Sequence, residues 1–527
     1  MTTITTRTYA QLREHLLARD ELALIDVREE APFALEHPLF ATNIPLSKLE
    51  IEIYSRVPRR DTQITVYDAG EGLANKAAQR LLTLGYSDVA VLEDGLEGWR
   101  ESGGELFRDV NVPSKAFGEL VESRRHTPSL SAEEVQALLA ANADVVVLDA
   151  RRFDEYQTMS IPGGISVPGA ELVLRVAELA PAPTTRVIVN CAGRTRSIIG
   201  TQSLVNAGIS NPVAALRNGT IGWSLAGQKL AHGQSTRFGE VSPTTRLDAG
   251  RRAREVADKA EVTRLSKQEF ASWRAHNHRT TYVFDVRTPE EFAKGHLPGS
   301  RSTPGGQLVQ ETDHFASVRG ARVVLVDDDG VRANMSGSWL AQMGWQVAVL
   351  DGLSLADFSE TGDWQPALPA LPQPSSIEPE QLIQWLAQGD TVLLDFTSSA
   401  NYVERHIPGA HWAIRAQLPQ ALENLPVAER YVLTCGSSLL ARFAAEDLQA
   451  LTDKPVFLLE GGTGRWIDQG RPLQTGEAHL AVPRSDRYRR PYEGTDNPRE
   501  AMQGYLDWEF GLVDQLKRDG THGFHVI

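Results

Sequence analysis

The hydrophobic pattern of the chain repeats four times. In each repeat a short apolar run closes on an acidic residue, and further short runs alternate with stretches of helical periodicity, among them residues 11–18, 132–141 and 379–387. Because strands that alternate with helices are typical of parallel sheets, this pattern predicts four α/β units. The closing runs are Leu24–Asp26, Val147–Asp149, Val283–Asp285 and Leu393–Asp395.

A second strand-like run in each repeat ends where a helical pattern begins. The register of the repeats holds, since 123 residues separate Asp26 from Asp149 and also Asp68 from Cys191. A glycine followed by an aromatic residue, as in 219–223, closes each repeat, so the four segments are copies of one unit. The residues at the ends of the second runs are Asp68, Cys191, Asp327 and Cys435.

Three segments lie outside the repeats. Residues 366–376 form a proline-rich spacer, and 248–261 are charged and helix-prone. In the tail, Asn497 followed by Pro498 predicts a helix start. Beyond it an apolar stripe predicts one helix that packs on the domains or on a second subunit. The stripe consists of Met502, Leu506, Phe510 and Val513.

The loop after the second run of repeat two contains the strongest candidates for catalytic residues. It reads Cys191-Ala192-Gly193-Arg194-Thr195-Arg196, between a predicted strand and a predicted helix. Unpaired backbone N–H groups and the positive end of a helix would face the sulfur there, and two arginines add positive charge. Both effects are expected to lower the pKa of Cys191 and make it a nucleophile. The same loop can hold an oxyanion.

These residues resemble the rhodanese (thiosulfate sulfurtransferase) superfamily over most of the chain. The resemblance rests on the Asp-x-Arg strand end, the His-x-Pro-Gly turn, the Cys-x-x-x-x-Arg loop and the glycine–tryptophan turn, which recur in order. It implies an α/β fold of four tandem rhodanese-like domains, each a small doubly wound parallel sheet flanked by helices, plus a C-terminal helical tail. The predicted domains are 1–108, 109–238, 239–365 and 366–475, and 476–527 is predicted to be a tail with one helix.

The resemblance also implies roles for the residues of repeat two. Cys191 would carry a persulfide and pass its outer sulfur to a thiol or cyanide. The arginines of the loop would bind the sulfonate of thiosulfate through their forked donors, and Asp149 and Arg151 would form a buried supporting pair. The substrate-binding residues would be Ala192, Gly193, Arg194, Thr195 and Arg196.

The other three loops depart from this pattern. The Cys435 loop has Leu440 where the closing arginine is expected, yet its Cys-Gly-Ser start is similar to that of mercaptopyruvate sulfurtransferases. A second sulfur site, with mercaptopyruvate as a candidate donor, and an inert relic therefore both stay open. Asp68 and Asp327 cannot carry a persulfide, so the first and third copies are expected to be inactive.

Composition narrows the range of functions. The net charge of −15 argues against a nucleic-acid binder, and no apolar run is long enough to span a membrane. Two cysteines among 527 residues exclude a disulfide framework. No signal peptide is apparent, so a cytoplasmic protein without nucleic-acid or membrane partners is expected. The histidines lack zinc-ligand spacing and the acidic run 327–329 lacks calcium-loop spacing, so no metal and no cofactor are expected.

The sequence therefore predicts a ping-pong sulfurtransferase that moves sulfane sulfur from thiosulfate or a similar donor through Cys191 to a thiol or cyanide. One alternative is a cysteine-dependent phosphatase or arsenate reductase. Tyrosine-phosphatase-like loops have five residues between cysteine and arginine, whereas Cys191 and Arg196 enclose four. The other alternative is a sulfur carrier or scaffold that acts on a protein thiol, since two copies lack the cysteine.

Overall fold

The computed structural model describes residues 4–527 and contains four five-stranded sheets. Every strand pair inside these sheets is parallel. Each sheet has the same strand order: first, fifth, fourth, second and third along its own segment. Both faces of such sheets are covered by helices, which explains why the central strands are continuous apolar runs. The predicted fold class is confirmed.

The first domain is joined to the second by helix α6 (Val112–Arg125), whose first ten residues are all buried. The elements of the first domain are β1 (Thr5–Arg7), α1 (Tyr9–Ala18), β2 (Ala23–Asp26), α2 (Glu30–Leu35), β3 (Ala41–Asn43), α3 (Leu49–Arg56), β4 (Ile64–Tyr67), α4 (Leu73–Thr83), β5 (Val89–Leu92) and α5 (Gly95–Glu101). Those of the second are β6 (Ser129–Leu130), α7 (Ala132–Ala140), β7 (Val145–Asp149), α8 (Phe153–Thr158), β8 (Ile165–Ser166), α9 (Leu172–Leu179), β9 (Arg186–Asn190), α10 (Thr195–Asn206), β10 (Val213–Leu216) and α11 (Gly219–Leu225).

Helix α12 (Pro243–Lys259) connects the second domain to the third, and it packs on helices of both. The third domain contains β11 (Thr263–Leu265), α13 (Lys267–Ala275), β12 (Thr281–Asp285), α14 (Pro289–Lys294), β13 (Arg301–Ser302), α15 (Gly305–Gln310), α16 (Thr312–Phe315), β14 (Arg322–Val326), α17 (Arg332–Gln342) and β15 (Gln346–Leu350). The fourth contains β16 (Ser376–Ile377), α18 (Pro379–Gln388), β17 (Thr391–Asp395), α19 (Ser399–Glu404), β18 (His411–Trp412), α20 (Leu418–Asn424), β19 (Arg430–Thr434), α21 (Leu439–Gln449), β20 (Val456–Leu459) and α22 (Gly462–Asp468).

The hydrophobic core is shared unevenly among the domains. The largest cluster joins the first and third domains and includes Phe117 of α6 and Trp339 of α17. The fourth domain has a core of its own around Trp412. Helix α6 also packs on α10, and in this way it helps to join the second domain to this core.

The tail contains two helices, α23 (Arg499–Phe510) and α24 (Leu512–Asp519), where one was predicted. Helix α23 begins after Pro498, and Asn497 does not cap it, because its Nδ2 donates to the carbonyl of Glu493 at 2.8 Å. The buried face is also shifted from the predicted stripe: it consists of Tyr505, Leu506 and Glu509, whereas Phe510 is 56% exposed. This face packs on α11 and α6, so the tail covers the second domain of its own chain.

Within residues 4–527, we find no helix with both the length and the apolar composition needed to cross a membrane.

Candidate active site

The residue before Cys191 is held by a buried ion pair. Arg151 Nε and Nη2 donate to the two carboxylate oxygens of Asp149 at 2.9 and 2.7 Å, and both side chains are buried. Asn190 Nδ2 donates to the same carboxylate at 2.9 Å. Asn190 is the last residue of β9, so this pair fixes the point at which the chain leaves the sheet and the loop begins.

The back of the Cys191 loop rests on the glycine–tryptophan turn. The amide of Thr220 donates to the Cys191 carbonyl at 2.9 Å, and the amide of Ile221 donates to the Ala192 carbonyl at 3.0 Å. Gly219 has a φ of 55°, and a Cβ atom there would lie 2.2 Å from the Cys191 carbonyl oxygen. Only glycine permits this approach, which explains the glycine of the repeat motif.

The Cys191 sulfur is enclosed, with 1% of the residue exposed. Its Sγ donates to Ser197 Oγ at 3.4 Å, in the first turn of α10. Burial raises the pKa of the Cys191 thiol, while Arg196 and the hydroxyl and backbone amide of Ser197 act to lower it. The prediction of a lowered pKa is therefore wrong for this closed arrangement, because the loss of hydration outweighs the positive surroundings.

Arg196 is the loop arginine whose positive charge lowers the pKa of the Cys191 thiol. Its two terminal nitrogens donate to both carboxylate oxygens of Glu155, at 2.7 and 2.9 Å. Burial alone would raise the pKa of Glu155, but Arg196 overcomes this effect and the pKa is about 2. Arg196 also lines a cavity of about 450 Å³ together with Arg151 and Tyr492. Arg196 therefore acts electrostatically on the Cys191 thiol and also borders an open volume.

Arg194 is also paired, and unlike Arg196 it does not line this cavity. Its guanidinium donates to both carboxylate oxygens of Glu119 on α6, at 2.6 and 3.0 Å, and to Asn218 at 3.2 Å. Its charged group also lies 4.4 Å from the centre of the Phe510 ring. In this arrangement Arg194 joins the loop to α6 and to the tail, and its binding of the substrate sulfonate stays a prediction.

The remaining loop residues are enclosed. Ala192, Gly193 and Thr195 are buried, and the Thr195 hydroxyl has no hydrogen-bond partner among residues 4–527. Gly193 lies under the tail, since a Cβ atom there would be 3.0 Å from Tyr505 Cε1 and 3.4 Å from Glu509 Oε2. The sequence interpretation missed this cover, because α23 lies outside the repeats.

The first and third copies fill the same loop with their own carboxylates. Asp68 accepts from the amides of Gly70 and Ala74 at 3.0 and 2.9 Å. Asp327 accepts from the amides of Gly330 and Ala333 at 3.2 and 2.8 Å. The loop is thus an anion cradle in these two copies, and it is occupied by a side chain.

The third copy nevertheless keeps the closing arginine. Arg332 pairs with both carboxylate oxygens of Glu291 at 2.6 and 3.0 Å, as Arg196 does with Glu155. The two partners are 41 residues apart in both copies, a spacing from which the sequence could have revealed the pair. Asp329 is also paired with Arg332, at 2.6 Å. Among residues 4–527 no three His, Cys, Asp or Glu side chains are arranged to hold a metal ion.

The Cys435 loop is open where the Cys191 loop is closed. Cys435 itself is buried, but Gly436 and Ser437 are exposed, and a Cβ atom on Gly436 would contact nothing within 4 Å. Burial raises the pKa of the Cys435 thiol, and backbone amides of the loop lower it. Within the described part of the chain no arginine donates to Asp395; instead, the Thr397 hydroxyl donates to it at 2.7 Å.

Comparison with known proteins fits this geometry. A model of the rhodanese-like domain matches residues 8–102, 131–226, 266–353 and 378–469. The fold and the repeated loop thus define a tandem α/β protein of the rhodanese type. The chain belongs to the rhodanese family, and the predictions of four rhodanese-like domains and of a rhodanese-type enzyme are confirmed.

Two relatives are similar to this chain. The crystal structure of a thiosulfate sulfurtransferase from Pseudomonas aeruginosa is 74% identical, covers 99% of this chain and 100% of its own, and superposes with a TM-score of 0.99. An uncharacterized protein from Synechocystis sp. is 33% identical over 112 residues. That match spans 21% of this chain and 59% of the Synechocystis protein.

Proposed function

We propose that this protein is a sulfurtransferase in which Cys191 takes the sulfane sulfur of thiosulfate and passes it to a thiol or cyanide. The observation that carries the proposal is the Cys191 loop, in which a cysteine, a helix start and Arg196 come together. Cys435 lacks the arginine, and the first and third copies lack the cysteine. The Pseudomonas relative, described as a thiosulfate sulfurtransferase, supports the choice of donor.

The first half-reaction forms a persulfide. The Cys191 thiolate attacks the outer sulfur of thiosulfate, a new S–S bond forms, and the bond between the two sulfur atoms of thiosulfate breaks with its electron pair on sulfite. Arg196 is placed to favour both the thiolate and the departing anion. The sulfur has to lose its proton first, because burial holds the Cys191 thiol largely protonated near pH 7.

The second half-reaction returns the enzyme to its starting state. An acceptor thiolate or cyanide attacks the outer sulfur of the persulfide, and the electron pair of the broken S–S bond returns to Cys191. No external oxidant or reductant enters either step. Two substrates that react in turn at one sulfur produce ping-pong kinetics.

The cavity beside Arg196 is a candidate path for the donor. Its volume is about 450 Å³, and Arg490 on its wall pairs with Glu30 at 3.0 Å. Arg487 and Arg490, which belong to the basic run 484–490, both lie on this wall. The cavity is lined by Asn111, Arg151, Arg152, Asp154, Glu155, Thr158, Met159, Arg196, Gln310, Glu311, Arg487, Arg490, Tyr492, Glu493 and Gly494.

Sulfite release tests the proposal directly. With thiosulfate and no acceptor, the protein should release about one sulfite per Cys191 and then stop; with an acceptor, double-reciprocal plots at several acceptor concentrations should be parallel. Cys191→Ser should abolish this release of sulfite from thiosulfate. Continuous sulfite formation without acceptor, or intersecting plots, would contradict the two-step route.

A second candidate function concerns Cys435. Its loop is open to solvent, so a bulky donor or the thiol of another protein can approach it more readily than the enclosed Cys191. This exposure favours a sulfur carrier role, or mercaptopyruvate as donor, for the fourth domain. Pyruvate release from mercaptopyruvate should depend on Cys435 and survive Cys191→Ser; loss only in Cys191→Ser would refute this assignment.

A further inference from the structure

Glu509 of helix α23 is a buried carboxyl group that lies over the Cys191 loop. A Cβ atom placed on Gly193 would be 3.4 Å from Glu509 Oε2, and Glu509 itself has no exposed surface. Tyr505 Oη donates to Glu509 Oε1 at 2.9 Å, whereas Oε2 has no hydrogen-bond partner among residues 4–527. An unpartnered carboxyl oxygen thus lies against the loop that carries the reactive sulfur. Such an oxygen is costly to bury and calls for an explanation.

The cations near Glu509 are committed to other partners. Lys115 pairs with Asp109 at 2.7 Å, and Arg194 pairs with Glu119 at 2.6 Å. Burial, reinforced by the negative charge of Glu119, raises the pKa of Glu509 to about 8, so this carboxyl group carries a proton at neutral pH. The titratable groups around it are Glu119 and Lys115 on α6, Arg194 and Cys191 in the loop, Tyr505 on α23, and Tyr492 and Asp109 beyond Lys115.

We propose that Glu509 is the proton donor to the outer sulfur of the Cys191 persulfide during transfer to the acceptor. This inference rests on the proposed function. The acceptor thiolate forms a bond to the outer sulfur as the S–S bond to Cys191 breaks, and that electron pair stays on Cys191 as a thiolate. The outer sulfur takes the proton of Glu509 and leaves as part of a neutral persulfide. The ionised Glu509 then regains a proton from water.

A proton donor is needed here because the acceptor and the outer sulfur of the persulfide both carry a negative charge. A thiolate that approaches a negatively charged outer sulfur is repelled, and the repulsion is strong where water is excluded. A proton delivered from a neutral carboxyl group removes the negative charge at the moment of attack. Groups that titrate close to the working pH are effective in this role. In the Cys435 loop, a Cβ atom on Gly436 would have no neighbour within 4 Å, so no carboxyl group of residues 4–527 lies over that glycine. Proton donation of this kind is therefore assigned to the second domain alone.

Glu509→Gln tests the assignment in the full-length protein. The amide keeps the shape of the side chain and can still accept from Tyr505, but it supplies no acidic proton. Each protein is loaded with thiosulfate, freed of excess donor and weighed to confirm the persulfide. It is then mixed with an aromatic thiol that is ionised from pH 6 to 9.5. Loading should stay within about twofold of wild type, and transfer at pH 7 should fall about 100-fold.

The pH profile separates proton donation from packing. Wild-type transfer should fall about tenfold per pH unit above about pH 8, and Glu509→Gln should show no such fall. Asp507→Asn, which removes an exposed carboxylate from the same helix, should behave as wild type. Wild-type transfer rates in Glu509→Gln, or slower transfer with the same pH dependence, would overturn the inference and leave the proposed function intact. A wild-type protein that takes up no sulfur would overturn both.

Discussion

Arg196→Leu removes the cation that links the Cys191 loop to helix α8. In the native protein, against the effect of burial, Arg196 with smaller contributions from Arg151 and Arg152 holds the pKa of Glu155 at about 2, where the ordinary value is 4.5. This difference corresponds to roughly 3 kcal/mol of stabilisation, which is present above pH 4.5 and lost as the pH falls towards 2. Removal of one partner of a buried pair has a similar cost, about 3 to 5 kcal/mol.

Urea unfolding at pH 7 should therefore show the second domain of Arg196→Leu unfolding at a concentration about 1 to 2 M lower than in wild type. Hydrogen exchange in peptides from β9 and α10 assigns the transition to this domain. The gap between variant and wild type should narrow as the pH falls below 4.5, because Glu155 begins to protonate. The pKa of the Cys191 thiol should also rise, since Arg196 is the nearby cation that lowers it.

Arg152→Leu is the matched control. Arg152 lies on the wall of the same cavity, but it is half exposed; it pairs with the exposed Asp154 at 2.9 Å and with Glu155 only at 3.6 Å. Such surface pairs contribute less than about 1 kcal/mol. A free energy of unfolding for Arg196→Leu within about 1 kcal/mol of the wild-type value at pH 7 would refute this role of the Arg196–Glu155 pair. An equally large loss of stability in Arg152→Leu would refute it as well.

Three further outcomes are expected. Gly219→Ala should abolish sulfur uptake, because its Cβ would lie 2.2 Å from the Cys191 carbonyl oxygen. Gly227 also has a positive φ but faces open space, so Gly227→Ala should lower the stability by about 1 kcal/mol and leave uptake intact. Equal uptake in the two variants would contradict this prediction. Iodoacetamide at pH 7 should label Cys435 before Cys191, as peptide mapping can show, and the reverse order would contradict the open and closed loops. Leu506→Ala should loosen α23 and raise the labelling rate of Cys191 several-fold, and an unchanged rate would show that the tail does not limit access.

Much of the fold could be predicted because it repeats. Four apolar runs that end on Asp26, Asp149, Asp285 and Asp395, in constant register, define four parallel sheets without any knowledge of contacts. The glycine of the closing turn could be located for the same reason, although its purpose, close approach to the Cys191 carbonyl, emerges only from the backbone.

The candidate site was less predictable, because its partners come from outside the loop. Glu155 repeats with Arg196 at a fixed spacing and could have been found, but Glu119 on α6 and Glu509 in the tail have no counterpart in the repeat. The sequence therefore indicated two free arginines where the structure has two paired ones. The prediction of an activated thiol missed the burial of Cys191 within the folded loop, which no local pattern reveals.

The most direct test of the account is the mass of the intact protein after incubation with thiosulfate and removal of excess donor. We predict that the wild-type protein and Cys435→Ser each gain a sulfur atom, and that Cys191→Ser gains one sulfur atom fewer than wild type. If Cys191→Ser gains sulfur to the same extent as wild type, or if wild type gains none, Cys191 is not the sulfur-carrying residue and the account is wrong.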